Sequence, residues 1–351
     1  MPSRPIITRS SHTAAVAPVR RHRRSPPCTR YIATAFGGRC TSTLFALGRL
    51  LPGREPVVRA PSSSAIGPGE RRVIVAPAET LSVSGGAAGV SRGDVVVLLL
   101  PGPVGSAFSM RSVVRELQAR GIEPLVVDPL GMGASARPKG ADYSLSAQAA
   151  RIAKVLEWEL PVGVSVIVAA QGTSATIAFH LAATDTARVR GVVSIAGGPI
   201  DKQGTPGVRT ALTFAALLDN PIGRGFAKRK FVSALRDQSA DDRWLTNDVV
   251  KRYVAPIEND LRGLLRTLGA MQASVDQFPI ASRLSRITVP VHLLVGDKRL
   301  ASAPSAAQVG MLQAHVKQFS IDTLHPGGTM LHEERAPDVA RAIIGLVRGV
   351  R

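Results

Sequence analysis

Hydroxyl, imidazole and carboxylate side chains are the groups in this sequence that could carry out nucleophilic catalysis. Residues 166–182, VIVAAQGTSATIAFHLA, change from an apolar run through small residues into a helical pattern, and such a turn can expose a nucleophile. Thr173 and Ser174 are the hydroxyls at this turn. A histidine must accept the hydroxyl proton and a carboxylate must orient that histidine, and the best candidates for these roles are His325 and Asp297.

Each of these side chains also has a structural interpretation, which is the one we favour. Thr173 and Ser174 would begin the helix, with Ser174 packed against the sheet, and His332 would open or cap the last helix. Gly172, at the apex of the turn, has no side chain. The main question that the sequence raises is therefore what the turn does without a nucleophile at its apex. The other residues considered for a non-standard catalytic set are His332, Asp201 and Asp322.

Metal and cofactor chemistry is not expected from this sequence. The seven histidines do not pair with carboxylates at metal-ligand spacing, and HEER at 332–335 lacks the second histidine of a zinc-binding helix. Both cysteines, Cys28 and Cys40, precede residue 60, so a chain processed there would contain no thiol and no disulfide. Aromatic residues make up only 4%, and no basic stripe alternates with them, so nucleic acid is expected only through the basic N-terminal segment.

Positive charge is concentrated near the N-terminus. The formal net charge is +19, and residues 1–60 contain eleven arginines against the single acid Glu55, a net of +10. We predict that residues 1–65 form a basic, disordered segment, whose composition is typical of a mitochondrial transit peptide. A retained basic tail on a cytoplasmic protein is the alternative. No uninterrupted run of about 18 apolar residues occurs, so we expect no transmembrane segment.

Apolar runs and helical patterns alternate along most of the remaining chain. Residues 70–197 predict strands that are interrupted by amphipathic helices, and the same alternation resumes over 287–351. Residues 198–286 contain only helical patterns, including RTALTFAALLD, TNDVVKRYVAPIEND and LRGLLRTLGAMQASV. The sequence therefore predicts an α/β fold with a mostly parallel sheet, helices on both faces and a helical cap inserted at 198–286.

Four stretches in a fixed order resemble the α/β-hydrolase fold with a helical cap. They are PGPVGSAFS (101–109), DPLGMGASARP (128–138), AAQGTSA (169–175) and LHPGGTMLHEERAPDVARAI (324–343). In that fold they resemble, in turn, the oxyanion-hole loop, the D-x-x-G-x-G-x-S loop, the nucleophile elbow and the loop that carries the catalytic histidine. The second stretch has all four residues of its motif, namely Asp128, Gly131, Gly133 and Ser135.

The resemblance also implies where the catalytic side chains would stand. It assigns the nucleophile to Gly172, the acid to Arg299 and the histidine to Thr329, so each position holds a residue without the expected group. Because glycine tolerates the positive φ of an elbow, the turn can persist without its nucleophile. The pocket and oxyanion-loop candidates that the resemblance implies are Gly102, Pro103, Gln171 and Thr173.

Two functional hypotheses follow from this combination of retained fold and altered positions. The favoured one is a non-catalytic protein that acts by binding, either as a subunit of a larger protein assembly or as a receptor for a small apolar ligand. The alternative is an active, cofactor-free hydrolase of a small ester, amide or thioester that uses Ser174, His325 and Asp297 in a non-standard arrangement.

Overall fold

A computed structural model of the chain describes residues 69–86, 89–103, 105–203 and 220–350. All of these residues belong to one unit of the chain. The basic segment 1–65 and the predicted helical stretch RTALTFAALLD (209–219) lie outside the described residues. The disorder and the targeting role of the first segment therefore stay predictions.

The described residues contain a sheet of eight strands in the order β1-β2-β4-β3-β5-β6-β7-β8. Strand β2 runs antiparallel to β1 and β4, and every other neighbouring pair is parallel. The prediction of an α/β fold with a mostly parallel sheet is confirmed. The strands are β1 (Arg71–Ala76), β2 (Glu79–Ser84), β3 (Val95–Leu100), β4 (Leu125–Asp128), β5 (Ser165–Gln171), β6 (Val189–Ile195), β7 (Val291–Gly296) and β8 (Phe319–Leu324).

Helices cover both faces of this sheet, which explains why its central strands are uninterrupted apolar runs. In β3, Val96 and Leu98 pack on one face and Val97 and Leu99 on the other, because successive side chains of a strand point to opposite faces. The helices are α1 (Arg111–Gln118), α2 (Leu145–Glu159), α3 (Ser174–Thr184), α4 (Pro221–Asp237), α5 (Asn247–Ala273), α6 (Ala281–Leu284), α7 (Ala306–His315), α8 (Leu331–Glu334) and α9 (Ala336–Val350). Helices α2 and α3 cover the first face, while α1 and α9 cover the second.

Three of these helices, α4, α5 and α6, lie between β6 and β7 in the chain. The sequence predicted two helical segments that meet between residues 260 and 261, and the structure has the same division, because helix α5 is interrupted by a kink there. Asp260 marks the kink, with φ −152° and ψ 66°, and its Oδ1 accepts a hydrogen bond of 2.8 Å from the Gly263 amide. The aspartate therefore caps the second half of the helix without any intervening loop.

Candidate functional site

The turn between β5 and α3 is a sharp strand-to-helix turn, or elbow, with a glycine at its apex. Gly172 has φ +56°, a value that side chains rarely adopt, and its amide donates to the Ile195 carbonyl at 2.9 Å. Apart from residue 172 and its two chain neighbours, no described residue has an atom within 4 Å of the place where a Cβ at residue 172 would stand. Among the described residues, a side chain at this position would therefore meet no obstacle, but the residue present has none.

Ser174 is the serine that the sequence suggests as a replacement nucleophile, and its hydroxyl has a structural contact instead. Its side chain is buried, and its hydroxyl donates a hydrogen bond of 2.6 Å to the carbonyl of Pro101. This contact joins the first turn of α3 to the loop that follows β3. The Oγ1 of Thr173 is also buried, and it has no hydrogen-bond partner within the described part of the chain. The structural interpretation of Ser174 thus accounts for its hydroxyl.

The loop after β3 packs directly against the elbow. A Cβ added to Gly102 would stand 1.9 Å from Oε1 of Gln171, so the Gln171 side chain occupies the space beside this glycine. Gln171 also donates from Nε2 to the Thr329 carbonyl at 3.4 Å. Pro103 has no N–H, so its nitrogen cannot donate a hydrogen bond to an oxyanion.

Thr329, at the position that the resemblance assigns to the histidine, is buried among neutral groups. Its amide donates to the Gln238 carbonyl at 2.8 Å, and its hydroxyl donates to the Gln238 Oε1 at 3.3 Å. The Gln171 side chain donates to the Thr329 carbonyl, so Thr329 is hydrogen bonded to two glutamines, Gln171 and Gln238. Neither a hydroxyl nor a carboxamide accepts a proton near neutral pH, so none of these groups could act as a general base.

The structure brings Asp297 and His325 together at the ends of β7 and β8. Asp297 Oδ2 lies 3.2 Å from His325 Nδ1, while Oδ1 accepts a hydrogen bond of 2.8 Å from the Gly327 amide. The Gly327 amide, followed by His325, lowers the pKa of Asp297. The His325 side chain is 68% exposed, in contrast to the buried Ser174 hydroxyl, and Arg299 is exposed as well.

The end of α4 is fastened to the loop that carries Thr329. We call residues 237–241 the cap turn. Lys298 Nζ donates to the carbonyls of Asp237 and Ser239 at 2.8 and 2.7 Å. Glu334 Oε2 accepts from the amides of Ala240 and Asp241 at 2.8 and 3.2 Å, and from Gly328 at 3.2 Å. Sequence reasoning missed Gln238, Lys298 and Glu334, because no motif or periodic pattern marks contacts between residues this far apart in the chain.

A buried ionic cluster joins α5 to the core beside the cap turn. Glu333 Oε1 lies 2.5 Å from Arg111 Nη1 and accepts a hydrogen bond of 2.6 Å from the Tyr253 hydroxyl. Burial raises the pKa of Glu333 in spite of these donors. Burial and the neighbouring Glu333 raise the pKa of Tyr253, so its hydroxyl remains a donor. These contacts hold α5 in place without offering an unengaged acid or base.

Asp128 has a structural role in the D-x-x-G-x-G-x-S loop. Its Oδ2 accepts from the Ala134 amide at 2.9 Å, and the Ser135 hydroxyl donates to the Asp128 carbonyl at 2.6 Å. A Cβ on Gly133, which has φ +48°, would stand 1.9 Å from the same Oδ2. Burial raises the pKa of Asp128 to about 7. The motif therefore builds a tight turn around a buried carboxyl group.

His332 gives the fold a pH dependence that can be measured. Complete burial, followed by the charge of Arg111, lowers its pKa from 6.5 to about 3. Below pH 6.5 this histidine gains a proton in the unfolded chain and not in the folded chain, so the contribution of His332 to the free energy of unfolding falls as the pH decreases. We expect His332→Leu to lose about 2 kcal/mol less stability than the parent between pH 7 and pH 5, measured by urea unfolding. The exposed His315→Gln is the control, and parallel profiles for His332→Leu and the parent would contradict the assignment.

Neither a metal centre nor a membrane span is found in the parts of the chain that the structure describes. Across residues 69–86, 89–103, 105–203 and 220–350, no group of three or more His, Cys, Asp or Glu residues is placed to hold a metal ion. Over the same ranges, no helix combines the length and the apolar character needed to cross a bilayer.

Comparisons with known proteins agree on the family and the fold. Residues 97–342 match the model of the alpha/beta hydrolase family. Cfl2 from Burkholderia cenocepacia is similar over 79% of this chain and 94% of its own, with 22% identity and a TM-score of 0.60.

Two further solved structures have the same likeness. Haloalkane dehalogenase DbeA from Bradyrhizobium elkani is 21% identical, with a TM-score of 0.59 over 80% of this chain and 98% of its own. The enol-lactonase from Burkholderia xenovorans is 16% identical, with a TM-score of 0.60 over 77% and 97%. A search of curated proteins found no match. At these identities the solved structures show the fold alone, while the family model covers most of the sequence: the chain belongs to the alpha/beta hydrolase family.

Proposed function

We propose that this family member acts by binding and not by hydrolysis. The observation that carries the proposal is the apex of the elbow, where Gly172 has no functional group and no described residue beyond its chain neighbours fills the place of a side chain. The backbone of Gly172 has a positive φ, as the strained turn of a nucleophile elbow does. The architecture of the site is thus kept while the reacting atom is missing.

The residues at the other two positions support the same proposal. Thr329 is hydrogen bonded to Gln238 and cannot accept a proton, and Arg299 has no carboxylate with which to orient a histidine. Three independent positions along the chain therefore lack the group that hydrolysis requires. A change at only one of them would be a weaker argument, since a single group can be replaced by a neighbouring residue.

The bound molecule that we propose is a small apolar ligand above Gly172, between the sheet and the helices that follow β6. Gln171 and Thr173 flank Gly172 in the chain, and the backbone amide of Thr173 is the polar group that we expect to orient such a ligand. A role as a subunit of a larger assembly is the other form of the binding hypothesis. The mitochondrial address of residues 1–65 is proposed on composition alone, and determining the N-terminus of the mature protein tests it.

An active hydrolase is the second candidate, and one contact favours it. Asp297 and His325 form the carboxylate–imidazole pair that a general base requires, and structural relatives such as the enol-lactonase have names that denote hydrolysis. The Ser174 hydroxyl is buried and donates a hydrogen bond to the Pro101 carbonyl, which argues against Ser174 as the nucleophile.

Labelling of the purified full-length chain with a fluorophosphonate probe distinguishes these candidates. We expect no labelled serine and no turnover of nitrophenyl esters of short or long acyl chains. Labelling that disappears in Ser174→Ala or His325→Ala would overturn the binding proposal and support the hydrolase. Native mass spectrometry of the same preparation should show a small-molecule mass that is lost on denaturation, and a partner protein in its place would favour the assembly.

A further inference from the structure

The outer face of helix α4 combines exposed apolar and basic side chains. Ile222 and Phe226 are 84% and 48% exposed and stand one helical turn apart. Arg229 and Lys230 follow after the next turn and are also exposed. We call these four residues the α4 outer face. Large apolar side chains that point together into solvent mark an interaction surface more often than single ones do.

Charge on this helix is strongly one-sided. Helix α4 contains five basic residues, and its only acidic residue is Asp237 at its last position. Lys228 is neutralised by an ion pair with Glu258 of α5, which lies beside the outer face. The Lys230 ammonium group stands 5.8 Å from the centre of the Phe226 ring, so the apolar and basic groups share one surface. The α4 outer face thus attracts anions around an apolar centre.

We propose that the α4 outer face docks on an anionic lipid surface. Ile222 and Phe226 would enter the boundary between headgroups and acyl chains, while Arg229 and Lys230 would contact lipid phosphates. Helices that lie in a membrane interface have this combination of apolar and basic side chains on adjoining parts of their surface. Each basic residue adds attraction to anionic lipid, and the apolar side chains add a contribution that salt does not screen.

The chemistry of this surface favours lipid over other partners. Nucleic acid would engage the basic residues but would leave an 84% exposed isoleucine in water. The two apolar side chains project outward from the helix, which suits insertion into a soft interface. This inference does not depend on the proposed function, because it concerns the outside of α4 and not the space above Gly172.

Vesicle flotation of the full-length chain tests the proposal. We expect binding to vesicles of phosphatidylcholine mixed with phosphatidylglycerol, and much weaker binding to phosphatidylcholine alone. Ile222→Ser with Phe226→Ser should weaken binding roughly tenfold, and this loss should persist in high salt. Arg229→Gln with Lys230→Gln should also weaken it roughly tenfold, but mainly at low salt.

Matched variants separate this surface from other parts of the protein. Val275 and Phe278 expose 68% and 48% of their surface in the segment after α5, so Val275→Ser with Phe278→Ser removes similar apolar area elsewhere. Arg115→Gln with Arg348→Gln removes the same charge from exposed positions on α1 and α9. We expect both control variants to bind as the parent does.

A tryptophan probe distinguishes docking by α4 from binding by the basic N-terminal segment. Phe226→Trp should be quenched by brominated acyl chains, after subtraction of the signal from the native tryptophans, whereas Val162→Trp at another exposed site should not. Vesicle binding without quenching at residue 226, or equal binding of parent and α4 variants, overturns the proposal. Loss of self-association in the Ile222→Ser, Phe226→Ser variant without any vesicle binding would assign the face to a second copy and would also overturn it.

Discussion

The combined variant Gly172→Ser, Arg299→Asp, Thr329→His is expected to react with a fluorophosphonate probe at residue 172. A Cβ added at 172 meets no described residue within 4 Å apart from its two chain neighbours, so a serine there has room at its first side-chain atom. A histidine at 329 would supply the base, and an aspartate at 299 would orient it, as the resemblance to the family implies. We expect labelling at least about 10²-fold faster than in Gly172→Ser alone, because general-base catalysis typically contributes 10²–10⁴-fold.

The single variant Gly172→Ser is the matched control for this experiment. It supplies the nucleophile at the elbow but leaves Thr329 and Gln238 in their hydrogen-bonded arrangement. Because Pro103 has no amide proton, we expect the combined variant to remain slower than intact members of the family. A combined variant that folds but reacts no faster than Gly172→Ser would argue that the three positions do not converge, and would remove the support that Arg299 and Thr329 give to the proposed function.

Gly296→Ala is expected to destabilise the fold by about 3 kcal/mol or more. Gly296 ends β7, and a Cβ there would stand 2.1 Å from the Gly327 carbonyl oxygen and 2.2 Å from that of Gly328. Both atoms belong to the backbone of the loop that carries Thr329, so no side-chain rotation can relieve the overlap. The loop itself would have to move, and its hydrogen bonds to Asp297 and Glu334 would be strained.

A glycine in α9 provides the control for this substitution. Apart from its chain neighbours and the backbone of its own helix, nothing described lies within 4 Å of a Cβ added at Gly345, and alanine is the better helix former. We therefore expect Gly345→Ala to stabilise the protein by about 0.5–1 kcal/mol. Urea unfolding at one pH measures both variants. Equal stability of Gly296→Ala and the parent would mean that β7 and the Thr329 loop are further apart than the structure indicates.

Most of the fold could be predicted from the sequence because its signals are local. The run VVVLLL favours a strand that is covered on both faces, and the structure places its side chains in two separate cores. The elbow was also predictable, since small residues and Gly172 stand between a buried strand and a helix. The division of α5 at Asp260 was also predictable, since the helical patterns TNDVVKRYVAPIEND and LRGLLRTLGAMQASV meet there.

The arrangement around Thr329 could not be predicted, because it depends on contacts between distant parts of the chain. The bond between Thr329 and Gln238 joins a loop after β8 to the end of α4, and neither residue belongs to a pattern that identifies its partner. The hydroxyl of Ser174 is a similar case: its type allowed catalysis, and only the position of the Pro101 carbonyl shows how it is used. The type of a residue limits which reactions its side chain could catalyse, whereas its contacts with distant parts of the chain determine whether the side chain is free to react.

The hydrogen bonds that hold the cap turn would affect how fast the ligand that we propose above Gly172 can bind. Lys298 and Glu334 hold the cap turn through several main-chain hydrogen bonds. Gln238, which is part of the cap turn, accepts a hydrogen bond from the Thr329 amide. We expect a ligand that enters past the cap turn to bind only after those bonds open together. The observed association rate of the proposed ligand would then level off at the opening rate as ligand concentration rises, so the opening of the cap turn would limit the rate of binding.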